Sequence, residues 1–526
     1  MKKYRVPLSI VGLAIITYIM IALVARMQHA AGNRVTVNNL ALLNSLPHSS
    51  FDPLDADFAF NRQAMRMLYA TPIEISASNR LESSVLKSFS YDQKTQTILF
   101  ELNQSATFSD GLPVTINDIS IAILRLALNR PYFPVVRYIE GLEPWTKLKQ
   151  PLRARPKGIT HDQNTLRIHL TKNLTNALFR FTLEIFSIIP EHCLDLDTGK
   201  LTCKVPTPSG HFTIQAETSD STMFRRRHAK TPYGESLPET LKITYLAAGR
   251  SDLEKEIDSS TVVVGWESSL RDPSQKALKN YSVRWLPRSW FTSLVLNPNV
   301  PPFDSVECRR QFAAAFRKKF HSLNDPDNEM EGSQFTSILP GYLSLKSLNE
   351  ALPTGKAVNC AEKLRSAPIK WAAVGGPSTP FRTTIVETLK DLGHPDVTAV
   401  TKQKYDDVLS SFLGNETSIL GYSSGFWAQD PIGDLQMYFT PGLHPILNFV
   451  TSDLKLQGML ANLDQGGEED LKPKMQEINQ YLFDQAISNV VAHVRKFYLA
   501  KNEKIISDPS FALSSPAPWQ LFRSAP

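Results

Sequence analysis

One uncharged apolar run, residues 6–25, constrains this chain more than any other feature. Lys2, Lys3 and Arg5 precede the run, and its 20 residues could cross the hydrocarbon core of a bilayer as a helix. Basic residues on the N-terminal side predict that the N-terminus stays in the cytoplasm and that the following chain is exported. The sequence contains no second apolar run of 18 or more residues. We therefore expect the remainder to fold outside the cytoplasm.

The apolar run is either an uncleaved anchor or a cleaved signal. Cleavage after Ala25 would place Leu23 at position −3, and cleavage after Ala31 would place His29 there. Signal peptidase sites carry small residues at these positions. The anchor is therefore favoured, which predicts a periplasmic or extracytoplasmic protein that residues 6–25 tether to the inner membrane.

The composition is that of a globular protein. Of the 526 residues, 42% are hydrophobic and 21% are charged, which argues against a largely disordered, fibrous or polytopic membrane protein. The length corresponds to roughly three or four domain-sized units. The formal net charge is only +6, and the acidic residues are interspersed among the basic ones. We predict no nucleic-acid partner, because proteins that bind nucleic acids concentrate basic charge on one face.

The four cysteines, Cys193, Cys203, Cys308 and Cys360, match no zinc template in their spacing. In an exported chain they can form one or two disulfides, and buried free thiols are an equal alternative. The one local His–Cys pair, His192 with Cys193, is too small a ligand set for a metal. We therefore predict no metal site and no cofactor.

Hydrophobic periodicity predicts a mixed α/β chain. Asn117 and Asp118 are suited to cap one of the predicted helices. Residues 369–400 show the order strand, helix, strand, which indicates an α/β region with partly parallel pairing. Helices are predicted at residues 60–68, 116–128, 174–185, 306–320, 383–392, 453–461 and 471–486, and strands at residues 34–37, 97–102, 165–170, 211–214, 241–245, 369–374 and 397–400.

Five segments follow one another in an order that resembles a known family. Two are specific: residues 108–118 read Phe-Ser-Asp-Gly-Leu-Pro-Val-Thr-Ile-Asn-Asp, and residues 301–310 read Pro-Pro-Phe-Asp-Ser-Val-Glu-Cys-Arg-Arg after Leu-Val-Leu-Asn at 294–297. Residues 51–56, 206–212 and 421–442 add weaker matches. Together they resemble the extracytoplasmic solute-binding proteins of the peptide/nickel ABC-importer family, of the oligopeptide- and dipeptide-binding type, over roughly residues 35–510.

The resemblance implies a bilobed α/β periplasmic-binding-protein fold with three domains, of the large cluster type, behind an N-terminal membrane helix. The ligand would lie between domains I and III, and the lobes would close on it about a hinge. The implied parts are residues 1–32 as the signal or anchor helix, 33–60, 165–280 and 495–526 as a discontinuous domain I, 61–164 as an inserted domain II, and 281–494 as domain III.

The resemblance also implies a function without covalent chemistry. The chain would be the substrate-binding component of a peptide-type ABC import system, capturing a peptide or another small solute. It would act as a monomer and deliver the solute to an ABC permease in the inner membrane.

The position of the family's peptide anchor differs in this chain. Peptide-binding members pair an Asp of the fifth segment with the α-ammonium group of the peptide. Residues 425–431 read Gly-Phe-Trp-Ala-Gln-Asp-Pro here, so Trp427 or Gln429 takes that position, depending on the end from which the residues are counted. Asp430 is the nearest carboxylate, and a turn or helix-cap role is its alternative.

Aromatic residues near the expected cleft are candidates for the pocket wall, because aromatic rings supply apolar surface to ligands. Tyr422, Phe426 and Trp427 belong to a stretch that lines the cleft in relatives. Trp290 and Phe291 stand where relatives carry pocket aromatics. For Tyr422, Phe426 and Trp427, packing in the core at the end of a strand is the alternative.

Two other functions are weighed against the importer hypothesis. Residues 421–425, Gly-Tyr-Ser-Ser-Gly, match the G-x-S-x-G motif of serine hydrolases, whose nucleophile lies between a strand and a helix. Pro431 argues against a helix there, so we predict no enzymatic activity. A degenerate binding fold, used as a membrane-tethered interaction or assembly protein, would account for an uncleaved anchor and for the missing Asp.

Overall fold

The computed structural model describes residues 37–43, 50–55, 59–131, 133–246, 260–266, 281–286, 288, 290–324, 330–337, 339–350, 360–374, 380–396, 399–402, 405–425, 431–439, 453–463, 468–500 and 517–522. The predicted membrane helix lies outside these residues. Within them, no helix combines the length and the apolar character needed to cross a membrane.

Strands form where alternate residues turn to opposite faces, as in residues 97–102, whose even-numbered side chains are all buried. The strands are β1 Asn38–Leu43, β2 Glu74–Ile75, β3 Leu81–Glu82, β4 Leu86–Asp92, β5 Thr97–Leu102, β6 Ile159–His161, β7 Thr165–His169, β8 Phe212–Glu217, β9 Ser221–Arg226, β10 Thr240–Leu246, β11 Thr261–Trp266, β12 Ser282–Trp285, β13 Trp290–Leu296, β14 Ala372–Val374, β15 Val400–Lys402, β16 Ile419–Gly425, β17 Ser488–Val494 and β18 Lys496–Ala500.

The α-helices pack against these strands and supply most of the remaining buried apolar surface. They are α1 Ala59–Leu68, α2 Ile116–Asn129, α3 Leu142–Lys147, α4 Val306–Asn324, α5 Leu345–Glu350, α6 Cys360–Ser366, α7 Pro380–Asp391, α8 Tyr405–Leu413, α9 Pro431–Phe439, α10 Leu454–Ala461 and α11 Leu471–Gln485.

A seven-stranded sheet joins distant parts of the chain in the order β12-β18-β11-β1-β10-β9-β8. Strand β1 pairs in parallel with β10 on one side and with β11 on the other. Strand β18 is antiparallel to both β11 and β12. Side chains of this sheet, of α1 and of residues 517–522 share one hydrophobic core that contains Trp519. The first and the last described segments of the chain therefore meet in one body.

A four-stranded antiparallel sheet, β4-β5-β7-β6, forms a second body. One hydrophobic core extends from Ala70 to Leu196 and includes eight apolar residues of α2, of which Ile119 and Leu124 are fully buried. The predicted boundary at residues 164/165 falls inside this sheet, because β7 pairs with β5. We propose that the inserted domain continues to about residue 203, where the disulfide from Cys193 ends.

A three-stranded antiparallel sheet, β16-β13-β17, forms the centre of a third body. Next to it, β14 and β15 pair in parallel and α7 lies between them in sequence. The strand–helix–strand order predicted for residues 369–400 is therefore confirmed. Strand β12 belongs to the seven-stranded sheet, so we propose that the third domain begins after residue 285 and not at residue 281.

Helix α2 begins with a capping box. The Oγ1 atom of Thr115 accepts a hydrogen bond from the backbone N–H of Asp118 at 3.2 Å, and the Asp118 carboxylate accepts one from the N–H of Thr115 at 2.8 Å. The predicted capping role of Asp118 is confirmed, with Asp118 as the third residue of the helix and Thr115 as the N-cap. Asn117 does not cap the helix, since its side chain donates to Glu191 at 2.9 Å.

Two predicted elements differ in the structure. Residues 174–185 were expected to form one helix but form two short 3₁₀ segments, Ala177–Thr182 and Glu184–Phe186, because Leu183 between them has an extended backbone. Strand β1 begins at Asn38, later than the strand predicted at residues 34–37, of which 34–36 lie outside the described residues.

Both cysteine pairs form disulfides, Cys193–Cys203 and Cys308–Cys360. This pairing decides between the two alternatives that the sequence leaves open, and it fits an oxidising compartment. Cys193 is therefore no metal ligand beside His192. In the part of the chain that the structure describes, no group of three His, Cys, Asp or Glu side chains is arranged to hold a metal ion.

Candidate ligand site at the junction of two sheets

The three-stranded and seven-stranded sheets are joined by two neighbouring crossings of the chain. Strand β17 ends at Val494 and β18 begins at Lys496, so one residue separates them. The second crossing runs from β12 to β13, and the N–H of Leu286 donates to the carbonyl oxygen of Lys496 at 2.9 Å. Two short neighbouring connections that run in opposite directions are a suitable hinge, because few backbone angles must change when the two bodies rotate.

Trp290 and Lys496 contact each other across this junction. The Nζ atom of Lys496 lies 4.6 Å from the centre of the Trp290 ring, within the range of a cation–π interaction. Both side chains are half-buried. The ring packs on Gly425, where a Cβ atom would lie 2.6 Å from it. The glycine therefore fixes the place of the Trp290 ring at the start of its strand.

Helix α1 carries two guanidinium groups whose charges act on Lys496. Arg62 and Arg66 are four residues apart, so they project from one face of the helix. Arg66 forms an ion pair with Glu184, whose side chain is only 3% exposed. Glu184 is held by the 3₁₀ segment Glu184–Phe186 of the second body, so this ion pair connects the second body to the first.

The charges of this cluster influence one another. Burial, and then the positive charges of Arg62 and Arg66, lower the pKa of Lys496 to about 7, although Glu184 acts in the opposite direction. Burial disfavours the ionised form of Glu184, but Arg66 and Arg62 outweigh it and hold the pKa of Glu184 below its usual range. Arg62, Arg66, Glu184 and Lys496 therefore form a partly desolvated cluster of three basic groups and one carboxylate.

Replacing Glu184 with Gln should destabilise the protein by about 3 kcal/mol at pH 7, because Arg66 would lose its buried partner. A depressed folded-state pKa stabilises the fold above the unfolded pKa of about 4.3, and that stabilisation is lost as the pH falls through the folded pKa. The gap between wild type and E184Q in urea unfolding should therefore be largest above about pH 5 and should shrink in more acidic solution.

Glu143→Gln is the matched control for that experiment. Glu143 pairs with Lys147 four residues away, and both side chains are more than two-thirds exposed, at 77% and 72%. Its replacement should leave the urea midpoint unchanged. An E184Q midpoint equal to that of E143Q would show that the buried ion pair does not stabilise the fold.

A cavity with both polar and apolar walls opens beside the ion pair. Its walls include Arg66, Glu184, Glu74, Tyr233 and Trp519. The cavity measures about 520 Å³ together with the solvent at its mouth. The cluster thus borders an accessible space and is not sealed inside the core.

The residues predicted to form the site lie in different surroundings in the structure. Phe291 and Tyr422 are 3% and 9% exposed and pack in one core with Tyr438, whose ring centre lies 6.2 Å from that of Phe291. Core packing, the alternative weighed for Tyr422, describes the position of both residues, and their contact with ligand stays a prediction. Trp290 lies at the junction. Phe426, Trp427, Gln429 and Asp430 lie outside the described residues.

Sequence reasoning missed Arg62, Arg66, Glu184 and Lys496. A signal was present for three of them. The two arginines have the i, i+4 spacing of one helix face, and Lys496 follows an apolar strand and precedes another. Nothing in the sequence brings Glu184 to them, because that contact depends on how two separate bodies pack.

The G-x-S-x-G match does not form a nucleophile elbow. Ser423 lies inside β16, opposite Thr292 of β13, with their hydroxyl oxygens 3.1 Å apart, whereas an elbow needs the serine on a turn. Our expectation that Pro431 prevents a following helix was wrong, since α9 begins at that proline, where a missing N–H has no cost.

The comparisons with known proteins agree with this architecture. Residues 80–320 match the family model described as the middle region of the bacterial extracellular solute-binding proteins, family 5. Among curated proteins, none matches the chain by sequence. Over residues 80–320 this family match agrees with the resemblance predicted from the sequence.

Solved structures share the fold over nearly the whole chain. Haemophilus influenzae OppA in complex with RPPGFSPFR has a TM-score of 0.71 at 14% identity, covering 92% of this chain and 99% of that one. Helicobacter pylori DppA, an ABC transporter-associated periplasmic binding protein in complex with peptide STSA, has a TM-score of 0.71 at 13% identity, covering 94% and 99%. Brucella suis NikA in complex with Fe(III)-EDTA has a TM-score of 0.68 at 15% identity, covering 93% and 100%.

Proposed function

We propose that this protein is the substrate-binding component of a peptide-type ABC import system, which captures a short peptide between two lobes. The observation that carries the proposal is the extent of the structural likeness. The fold coincides with OppA and DppA over more than nine-tenths of both chains, at TM-scores of 0.71. Both are ligand complexes, and the DppA ligand is a peptide.

The junction supports capture by closure of the lobes. The three-stranded and seven-stranded sheets are connected by two short crossings, and Leu286 of one crossing bonds to Lys496 of the other. Rotation about these crossings changes little of the hydrophobic core of either body. A solute held on both sides would favour the closed arrangement by its differential affinity.

The place of action follows from the family and from the cysteines. The matched family consists of extracellular solute-binding proteins, and two disulfides suit an oxidising compartment. We propose in addition that residues 6–25 tether the protein to the inner membrane, where it would deliver solute to an ABC permease without covalent chemistry and as a monomer.

A thermal-shift panel tests the function. Mixed tri- to pentapeptides, free amino acids, sugars and NiCl₂ would each be added to the full chain in detergent. Peptides should raise the melting temperature by several degrees, because a hundredfold excess over Kd stabilises the folded state by about 2.7 kcal/mol. Free amino acids and sugars are the controls.

A shift with NiCl₂ and none with peptides would indicate that the solute is a metal complex and not a peptide. No shift with any compound would contradict the importer function. The membrane-tethered interaction protein would then be the better account.

A further inference from the structure

The cavity beside the Arg66–Glu184 ion pair has more acidic than basic side chains in its walls. Of the described residues that line it, Glu74 and Glu184 are acidic and Arg66 is basic. Arg66 already pairs with Glu184. Glu74 lies 3.5 Å from the Nε2 atom of His211, and within the described part of the chain no lysine or arginine forms an ion pair with it. Since histidine is charged only when protonated, Glu74 has no permanent cation as a partner.

The carboxylate of Glu74 also has an acceptor atom without a donor. Its Oε1 atom accepts a hydrogen bond from the Ser84 hydroxyl at 3.1 Å. Its Oε2 atom is buried and accepts no hydrogen bond of normal length and angle from the described residues, and the Nε2 atom of His211 forms none either. A buried charged oxygen without a donor is unfavourable. A ligand that donates N–H groups from the cavity would satisfy this oxygen.

Further carboxylates add to the negative charge around this cavity. Glu74 lies directly opposite Glu82 in the β2–β3 pair, where like charges repel each other. Burial raises the pKa of Tyr233, and the charges of Glu74, Glu235 and Glu82 raise it further. Glu235 accepts a hydrogen bond from the Trp519 Nε1 atom at 3.1 Å, which is an uncharged donor. The surroundings of Glu74 therefore favour a cationic ligand over a neutral or anionic one.

Aromatic rings form the remaining walls that such a ligand would contact. Tyr69, Tyr233 and Trp519 all line the cavity, and aromatic faces attract ammonium and guanidinium groups. The hydrogen bond from Trp519 to Glu235 fixes the indole ring in place. Because the cavity is open at its mouth, a charged head group can enter while an attached alkyl chain stays outside.

We propose that this cavity binds the head group of a small organic cation, an ammonium or a guanidinium, with Glu74 as its counter-charge and the rings of Tyr233 and Trp519 as its walls. Such head groups donate charge-assisted hydrogen bonds to carboxylates. The walls come from α1 and residues 517–522 of the first body and from β2 beside the second. The inference therefore goes beyond solute capture between the first and third bodies.

A matched pair of ligands, n-butylamine and n-butanol, tests the inference. Titration calorimetry would use the full chain in detergent, in slightly alkaline buffer where histidine side chains are ordinarily neutral and the amine is charged. The amine should bind tighter than the alcohol by about tenfold or more, as expected for hydrogen bonds to a charged group. Glu74→Gln keeps the shape of the side chain and should remove this preference.

Two further variants make the test independent of how well E74Q folds. Tyr233→Leu leaves the carboxylate in place and should weaken amine binding by about threefold or more, because an aromatic wall is lost. Glu143→Gln is the control, since Glu143 is 77% exposed, and it should keep the full preference. Equal affinity for amine and alcohol in the wild type, or a preference that survives both E74Q and Y233L, would overturn the inference. Displacement of the amine by KCl as effective as by a second amine would overturn it as well.

The tripeptides Ala-Lys-Ala and Ala-Met-Ala distinguish the two sources of such a head group. A preference for the lysine peptide that E74Q removes would assign the site to a basic side chain of the solute. Amine binding without that preference would assign it to a free amine. The amine assay contains no peptide, so its failure would leave the importer function standing, and a failure of all peptides to bind would leave the cation site standing.

Discussion

Replacing both Cys308 and Cys360 with Ser is expected to lower the free energy of unfolding by about 4 kcal/mol. The disulfide connects α4 to α6 across a sequence separation of 52 residues. A cross-link that closes a long loop restricts the unfolded chain more than a short one does. Urea unfolding of the full chain, with and without the double substitution, measures the difference.

The second disulfide is an internal comparison for the first. Cys193 and Cys203 are separated by only 10 residues, so C193S/C203S should cost about 3 kcal/mol. A loss below about 1 kcal/mol for C308S/C360S would show that the remaining contacts hold α4 and α6 without the bond.

Asn479→Ala should destabilise the third body by about 3 to 5 kcal/mol, because three buried polar groups would lose their partner. The side chain is fully buried on α11. Its Oδ1 accepts from the N–H of Gln334 at 2.9 Å, and its Nδ2 donates to Ser333 Oγ at 2.7 Å and to the Gly341 carbonyl at 2.9 Å. Urea unfolding measures the loss.

Asn299→Ala is the control for that substitution. Asn299 lies in the same body and is exposed, so its removal should change the urea midpoint little. If N479A and N299A unfolded at the same denaturant concentration, the buried hydrogen-bond network around α11 would not stabilise the fold.

The local hydrophobic pattern correctly predicted those strands and helices whose formation depends on their own side chains. Strand β5 and helix α2 agree with the sequence to within one residue, because alternating burial and helical periodicity lie within the segment itself. The helix predicted at residues 174–185 was wrong, because Leu183 has an extended backbone within that apolar segment. The periodicity of a buried 3₁₀ segment resembles that of a helix.

Long-range pairing could not be read from the residues alone. Strand β1 pairs with β10 and β11, some two hundred residues later, and no local pattern encodes such a partner. The family resemblance supplied the bilobed architecture instead. We propose that the boundary it implies at residue 164 lies too early in the chain, because the core from Ala70 continues to Leu196.

The candidate site was predictable only in part. Trp290 was named from the sequence and lies at the junction of the sheets. Phe291 alternates with it along the same strand and so turns to the opposite face, into the core. The charged residues of the cluster come from three segments, α1, the 3₁₀ segment Glu184–Phe186 and β18, whose meeting depends on the packing of whole bodies.

Native mass spectrometry of the full chain, purified in detergent without refolding and then incubated with mixed short peptides, tests the central claim most directly. The account predicts one small solute per chain, with added masses that resolve to short peptides. A bare protein mass after this incubation would contradict the account, because a two-lobed receptor with an intact site should retain its solute.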